Sequence, residues 1–508
     1  MFARTSFPVL ARWLCRTLLF VSLALAAPRA HSAQQDATSL EELRRQLQEQ
    51  SARIQQLESN RQDLNTTDAS DAVSPEITTQ LEELTSRLST LESSAGQLRR
   101  DLDDSFLESP STESLRSTTG RLHLDYWGFP QDSDGIKILE NGAVTPVNDK
   151  FELRRIRLGI RGQVPPKNVS YQLDLEFSGI DRIGVRDAWI GIDEHPLFDT
   201  IRIGNQKRPY GLDQLNSSNF TIFIERPMMV DAINDPNRRF GVQVFGASPD
   251  LGWNWRYGGF NMVAIEELGA ISSNTYQTEM AGRLARTAWY HEPSNGRGYL
   301  HLGVSTSFRF PATNPSIATS RYNSRPEARS ASQWLDTGAI GGVQASQLVG
   351  AESVLNLGSL QVGMEYMNVW LQRGAGTGTD LHLQGGHVYL SYFLTGEHIP
   401  WNRDMGILGR LEPRRNFIRS KTTACPGWGA WQLAMRASMA DLNDSNVFGG
   451  YGRSATFALN WYWNAHTRWQ INYIVGSIDD RQRLVGVPGS GLISGDYQIV
   501  GTRFMIDY

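Results

Sequence analysis

Arg155, Arg157 and Arg161 share one parity in the run Phe151–Arg161, while Ile156, Leu158 and Ile160 take the other. In an extended strand, side chains of one parity stand about 7 Å apart on one face. Guanidinium groups so spaced can each grip an oxyanion through a planar, two-pronged fork and hand it to the next. That is the chemistry of binding and passage, with no bond made or broken. Arg321, Arg325 and Arg329 repeat a common parity in a second segment, with Glu327 among them. Arg283, Arg309, Arg436 and Arg503 each fall on the polar side of an alternating run. Asp174 and Glu176, on the polar face of the run after the arginine strand, are candidate fixed counter-charges that would keep the wells shallow. The chain has only five lysines, and the other 44 of its 49 cations are arginine. GC-rich codons produce the same bias, so placement rather than number carries the argument.

Catalytic chemistry is poorly represented. The nine histidines are scattered, with no His-Glu-x-x-His, no Gly-x-Ser-x-Gly and no phosphate-cradling P-loop. Gly374-Ala-Gly-Thr-Gly378 lacks a strand–helix context and reads as a turn. His387 and Ser391 share strand parity and are the nearest approach to a base and nucleophile. The expectation is no enzyme, no cofactor and no metal site. Cys15 and Cys425 are the only cysteines, so neither a disulfide framework nor a structural zinc cluster fits. A formal net charge of −4 speaks against a nucleic-acid binder.

Three kinds of segment must position these residues. Arg4, Arg12 and Arg16 precede a short apolar run, Leu18–Ala27, and small residues follow, so residues 1–33 read as a secretory signal peptide. Residues 34–117 hold no Trp or Tyr and carry a net charge of −9. Leu40, Leu43, Leu47, Ile54, Leu57 and Leu64 keep a 3–4 spacing, and Ile77, Leu81, Leu84, Leu88, Leu91, Ala95, Leu98 and Leu102 resume it after Pro75. That pattern predicts an α-helical coiled coil in two pieces, placed in the periplasm. From 118 to 508 the period falls to two. Leu300, Leu302, Val304 and Phe308 stand opposite His301, Ser305 and Ser307, and Trp431, Leu433, Met435 and Met439 stand opposite Gln432, Arg436 and Ser438. One apolar and one strongly polar face predicts an all-β transmembrane antiparallel barrel with a wet lumen. Trp253-Asn-Trp-Arg-Tyr257 and Trp461-Tyr-Trp463 suit an interfacial girdle, and Phe504, Ile506 and Tyr508 give an alternating strand closing on an aromatic. Roughly 24 residues per strand and connection implies about 16 strands. The stretch Gly211–Phe240 is long for a connection and reads either as a lumen loop that sets the bore or as an extracellular loop.

Ordered pieces of 118–508 resemble the phosphate-selective porins of the porin O and P type. They include Gly120-Arg-Leu-His-Leu-Asp-Tyr126, Val185-Arg-Asp-Ala-Trp189, Arg202-Ile-Gly-Asn-Gln-Lys-Arg-Pro-Tyr210, Phe223-Ile-Glu-Arg-Pro227, Arg238-Arg-Phe-Gly-Val242, Arg325-Pro-Glu327, Ser391-Tyr-Phe-Leu-Thr-Gly-Glu397, Gly429-Ala-Trp431 and Leu459-Asn-Trp461. The resemblance implies a homotrimer of 16-stranded barrels in the outer-membrane lipid and diffusion of small anions, inorganic phosphate in particular. It also implies an arginine ladder with constriction lysines and an acidic residue, and Asp187 and Lys207 fall in family-like motifs. Residues 118–508 hold 37 basic and 36 acidic residues, so anion preference rests on placement and resemblance. The rival reading is a general, non-selective porin whose coiled coil tethers the outer membrane to the cell wall.

Overall fold

The computed structural model describes residues 116–508 apart from 165–167, 179–182, 235–236, 263–264, 266–276, 312–318, 418–426 and 484–489. The signal peptide, the coiled coil up to residue 115, and both cysteines lie outside the described residues.

Sixteen antiparallel strands close into one barrel. They are β1 (Arg116–Asp132), β2 (Lys150–Val164), β3 (Val169–Glu176), β4 (Gly184–His195), β5 (Asp199–Lys207), β6 (Arg238–Ala247), β7 (Trp253–Asn261) and β8 (Thr278–Tyr290). There follow β9 (Gly298–Phe310), β10 (Val343–Leu357), β11 (Leu360–Arg373), β12 (Leu381–Phe393), β13 (Ala430–Asp444), β14 (Val447–Asn464), β15 (Thr467–Gln482) and β16 (Leu492–Asp507). β16 pairs with β1, setting Ile506 beside Leu122 and Arg503 beside Asp125. The period of two decides which side each residue takes. On β9, His301, Ser305 and Ser307 are buried while Leu302, Val304 and Phe308 are exposed. On β13, Gln432, Arg436 and Ser438 are buried while Leu433 and Met435 are exposed. A polar interior behind an apolar wall is the reverse of a soluble sandwich and matches a barrel bathed in lipid.

One strand breaks the alternation. The β1–β2 ladder pairs His123 with Arg155 and Leu124 with Leu153, leaving Arg154 with no partner. This bulge gives β2 one extra residue, and Arg154 and Arg155 both turn inward.

Three connections occupy the lumen. Residues 208–237 join β5 to β6 and carry α2 (Leu212–Leu215) and α3 (Met228–Asn234), the helix α1 (Asp134–Asn141) lying earlier, between β1 and β2. Residues 311–342 join β9 to β10, and residues 394–429 join β12 to β13. Strand directions alternate, so the first two enter from one end of the barrel and the third from the other. The 208–237 segment crosses the lumen, as the first of the two sequence readings holds. Its carbonyls at Thr221, Ile222, Ile224 and Glu225 accept hydrogen bonds from Arg468, Asn460, Gln470, Arg503 and Arg436 on β13–β16. Met228, Met229 and Ile233 of α3 pack with Trp334, Leu335, Ile478 and Tyr497. Leu212, Ile222 and Phe223 pack with Ile399, Trp401, Leu408 and Leu411 of the third connection. The segments entering from the two ends meet where the Leu408 amide donates to Asn216 Oδ1 at 3.0 Å.

Candidate functional site

A cavity of about 300 Å³ opens between β2, β4 and the two connections that enter from the same end. Arg154, Arg155 and Arg157 line it from β2 and Arg186 from β4. Glu225, Arg226 and Asp231 come from the 208–237 segment, and Arg325, Glu327 and Arg329 from the 311–342 segment. Every cation in the lining is arginine, and these outnumber the carboxylates by seven to three. A larger depression of about 940 Å³ runs along β10–β16, but many of its lining side chains, such as Met364, Tyr366, Val388 and Val475, stand exposed on the barrel wall, and Arg453 is its one arginine.

The cavity's arginines differ in what holds them. Arg154 makes a fork on Glu225, Nε to Oε1 at 2.8 Å and Nη2 to Oε2 at 3.1 Å. Arg157 is paired with Glu176, and Arg329 Nε lies 3.2 Å from Glu152 Oε1. Arg226 donates to the Asp213 and Asn216 carbonyls at 3.1 and 3.3 Å, with the Asp213 carboxylate at 3.8 Å. Arg325 donates to the Ser330 carbonyl at 2.9 Å. Arg155 is 5% exposed, and its hydrogen bond runs from Nη1 to His123 Nδ1 at 3.3 Å. Arginine only donates, so Nδ1 is the acceptor and the imidazole is neutral. Among the described residues no carboxylate is bonded to Arg155. A buried guanidinium with no carboxylate bonded to it, ringed by other arginines and with Glu225 acting only through space, is costly until an anion reaches it.

Glu225 organises the other side. Burial pushes its carboxyl up, but Arg154, Arg503 and Arg155 outweigh burial and hold it well below the usual carboxylate range. Arg503 is fully buried and makes a fork on Asp125 at 2.7 and 2.6 Å, while reaching Glu225 Oε1 at 2.7 Å.

The structure distributes the sequence-selected residues unevenly. Arg155, Arg157 and Arg325 come together at the cavity. Arg161, at the far end of β2, is exposed and donates to Ser117 Oγ at 3.0 Å. Arg436 borders the site from below, donating to Glu327 Oε2 at 2.6 Å and the Glu225 carbonyl at 3.1 Å. Arg283 is bound to Glu352, and Arg309 to Glu279 at 3.2 Å and to the Tyr210 hydroxyl at 2.7 Å. Asp187 accepts from Arg238 at 3.0 and 2.6 Å. Lys207 gives its ammonium to the carbonyls of Gln214, Leu215 and Asn216 at 2.8, 3.0 and 2.9 Å, so it anchors α2 and is not presented to a solute.

The second arginine run does not keep its common parity, although Arg325 and Arg329 reach the cavity. Residues 321–329 are no spanning strand but part of the inward connection, braced by one two-residue ladder that pairs Asn323–Ser324 with Leu335–Asp336. Pro326 has no amide to donate, and Glu327 adopts a φ of 60°, so parity does not persist there. Arg321 therefore forks onto Asp336 at 2.8 and 2.5 Å, with half its side chain in solvent. Of the proposed counter-charges, Glu176 does meet Arg157, whereas Asp174 accepts from Gln172 at 2.9 Å. His387 and Ser391 both face inward, and Ser391 Oγ accepts from Gln432 at 3.2 Å. Sequence reasoning missed Arg154 and Arg186. A doubled arginine ahead of an alternating run is the one trace the bulge leaves.

The family model described as "Phosphate-selective porin O and P" matches residues 117–508. An uncharacterized protein of Caulobacter vibrioides is 30% identical over 330 residues, covering 63% of this chain, and the chain spans 62% of that relative's length. Among solved structures, an anion-selective porin from Comamonas acidovorans is 10% identical over 78% of this chain and 100% of its own, with a TM-score of 0.48. The outer membrane channel DcaP of Acinetobacter baumannii is 10% identical over 79% of this chain and 99% of its own, with a TM-score of 0.43. The family match takes in all sixteen strands and the connections that build the cavity, so the chain belongs to the phosphate-selective porin O and P family.

Proposed function

We propose that this chain is an outer-membrane porin whose lumen passes small anions, with inorganic phosphate preferred. The observation that carries the reading is Arg155: a buried guanidinium with a neutral histidine for a partner, facing a cavity of seven arginines and three carboxylates. Carboxylates on Arg154, Arg157 and Arg329 temper the positive field so that it does not make a trap, which conduction requires. The neighbouring forks favour a tetrahedral oxyanion over chloride, because two N–H groups of one plane can meet two oxygens.

A homotrimer fits the outer wall. The large exposed side chains on β2–β6 are Phe, Leu, Ile and Val, including Phe151, Leu158, Ile160, Ile190, Ile203 and Phe240. Exposed Trp and Tyr stand on other strands, as with Trp253, Trp289, Trp370, Tyr392 and Trp469. Interfacial Trp and Tyr belong where lipid is met, and an apolar face without them suits contact with another copy. Residues 34–115 form the periplasmic coiled coil in this reading, supported by their heptads and acidity.

The test is electrical. In planar bilayers under a KCl gradient the reversal potential should take the sign of anion selectivity, and micromolar to millimolar phosphate should block the chloride current. A cation-selective or unselective channel that phosphate leaves unblocked returns the general porin as the better reading.

A further inference from the structure

Toward the barrel end opposite the cavity's entrance, Arg202 of β5 projects into the lumen between two aromatic rings. Its Cζ lies 4.1 Å from the ring centroid of Trp189 on β4 and 4.4 Å from that of Phe245 on β6. Two aromatic rings thus flank the guanidinium within cation–π distance. Among the described residues no hydrogen bond or ion pair engages its side chain, and its buried Nε is without a partner. A planar cation held against aromatic rings keeps its N–H groups for something else. Arg256 of β7 sits over the same Phe245 ring, with Cζ at 5.2 Å, and donates to the Met405 carbonyl at 2.5 Å. Arg283, across the ladder from Arg256, is already neutralised by Glu352. The carboxylates that act on Arg202 through space are Asp193, Asp187 and Asp404, and none bonds to it. Asp187 is held by Arg238.

Two guanidinium groups therefore share one phenyl ring, one of them with no bonded counter-charge, on the inward side of β5 and β7 and apart from the arginine cavity. The geometry points to Arg202 and Arg256 as a second oxyanion station for inorganic phosphate, on the exit side and separate from the main cavity. This rests on the anion reading above and adds a second well to it. The rings hold the fork flat, so affinity depends on stacking as well as on charge.

The experiment is sided block of chloride current by inorganic phosphate, with channels inserted into planar bilayers from one chamber. Arg202→Gln should raise the half-blocking phosphate concentration about three- to tenfold for phosphate added on the exit side, the loss of one charge-assisted fork, and leave block from the other side unchanged. Arg202→Lys should fall between Gln and parent, and Trp189→Leu, which keeps the charge but removes one stacked face, should shift exit-side block in the same direction by less. Either of these carries the test if Arg202→Gln does not fold. Arg155→Gln serves as the reference, weakening block from the entrance side. Exit-side block unchanged in all three variants, or equal shifts on both sides, overturns the second station while the Arg155 effect keeps the anion reading. A parent channel that phosphate blocks from neither side overturns both.

Discussion

At the scale of single residues, what separates the lumen arginines is their company. Charge-assisted hydrogen bonds are worth about 1.5–3 kcal/mol each, so removing an unneutralised fork should matter more than removing one already paired. Arg155→Gln should therefore raise the phosphate concentration needed for half block by roughly tenfold or more. Arg161→Gln, on an exposed side chain outside the cavity, should leave block unchanged. Single-channel recording of both variants checks the contrast, and equal effects would reduce the ladder to a solvated lumen face. Glu225 gives a pH prediction of definite sign. Its carboxyl is held below the ordinary range in the folded protein, so its bonds to Arg154 and Arg503 stabilise the fold above the unfolded value and are lost as pH falls through the folded one. The folded band on an unheated gel should persist through about pH 4, where ordinary carboxylates titrate, and fail in stronger acid. In Glu225→Gln the acid dependence should flatten. The parity of Arg155 and Arg157 was legible in the sequence because alternation reports which face a side chain takes. Glu176 was legible too, as the counter-charge that meets Arg157, but the rest of the cavity was not, since Glu225, Glu327 and Arg325 arrive from connections whose path alternation does not encode.

At the scale of elements, strands and connections differ in how much they disclose. Sixteen strands follow from a period of two and a typical repeat, and the structure has sixteen. The β2 bulge escaped because one inserted residue leaves the apolar pattern on either side intact. The inward course of 208–237 was one of two open readings, since what fixes it is a set of side chains on distant strands. Lys207 closes that set at the near side by capping the carbonyls that end α2, a place where a cation is favoured. Lys207→Met should leave those carbonyls unmet, loosen the segment and widen the pore. The expected result is higher chloride conductance and weaker phosphate block, with the barrel still resistant to SDS. Conductance equal to the parent would mean that the carbonyl bonds from β13–β16 hold the segment alone.

At the scale of the whole molecule, the barrel and the heptad region make separable predictions. Deleting residues 34–115 should leave single-channel conductance and phosphate block as in the parent, while envelope leakage rises if the coiled coil ties the outer membrane to the cell wall. Unchanged leakage in that deletion would remove the tether. Within the barrel, Arg503 has a consequence that belongs to biogenesis. It stands on the last strand, forks onto Asp125 of the first, and reaches the Ile224 carbonyl and Glu225 of the crossing segment. With that segment left outside, the Arg503–Asp125 pair would face a water-filled lumen and lack its contacts to Ile224 and Glu225. One guanidinium thus fastens both the closing seam and the segment that fills the bore, so barrel closure and loop seating stabilise each other.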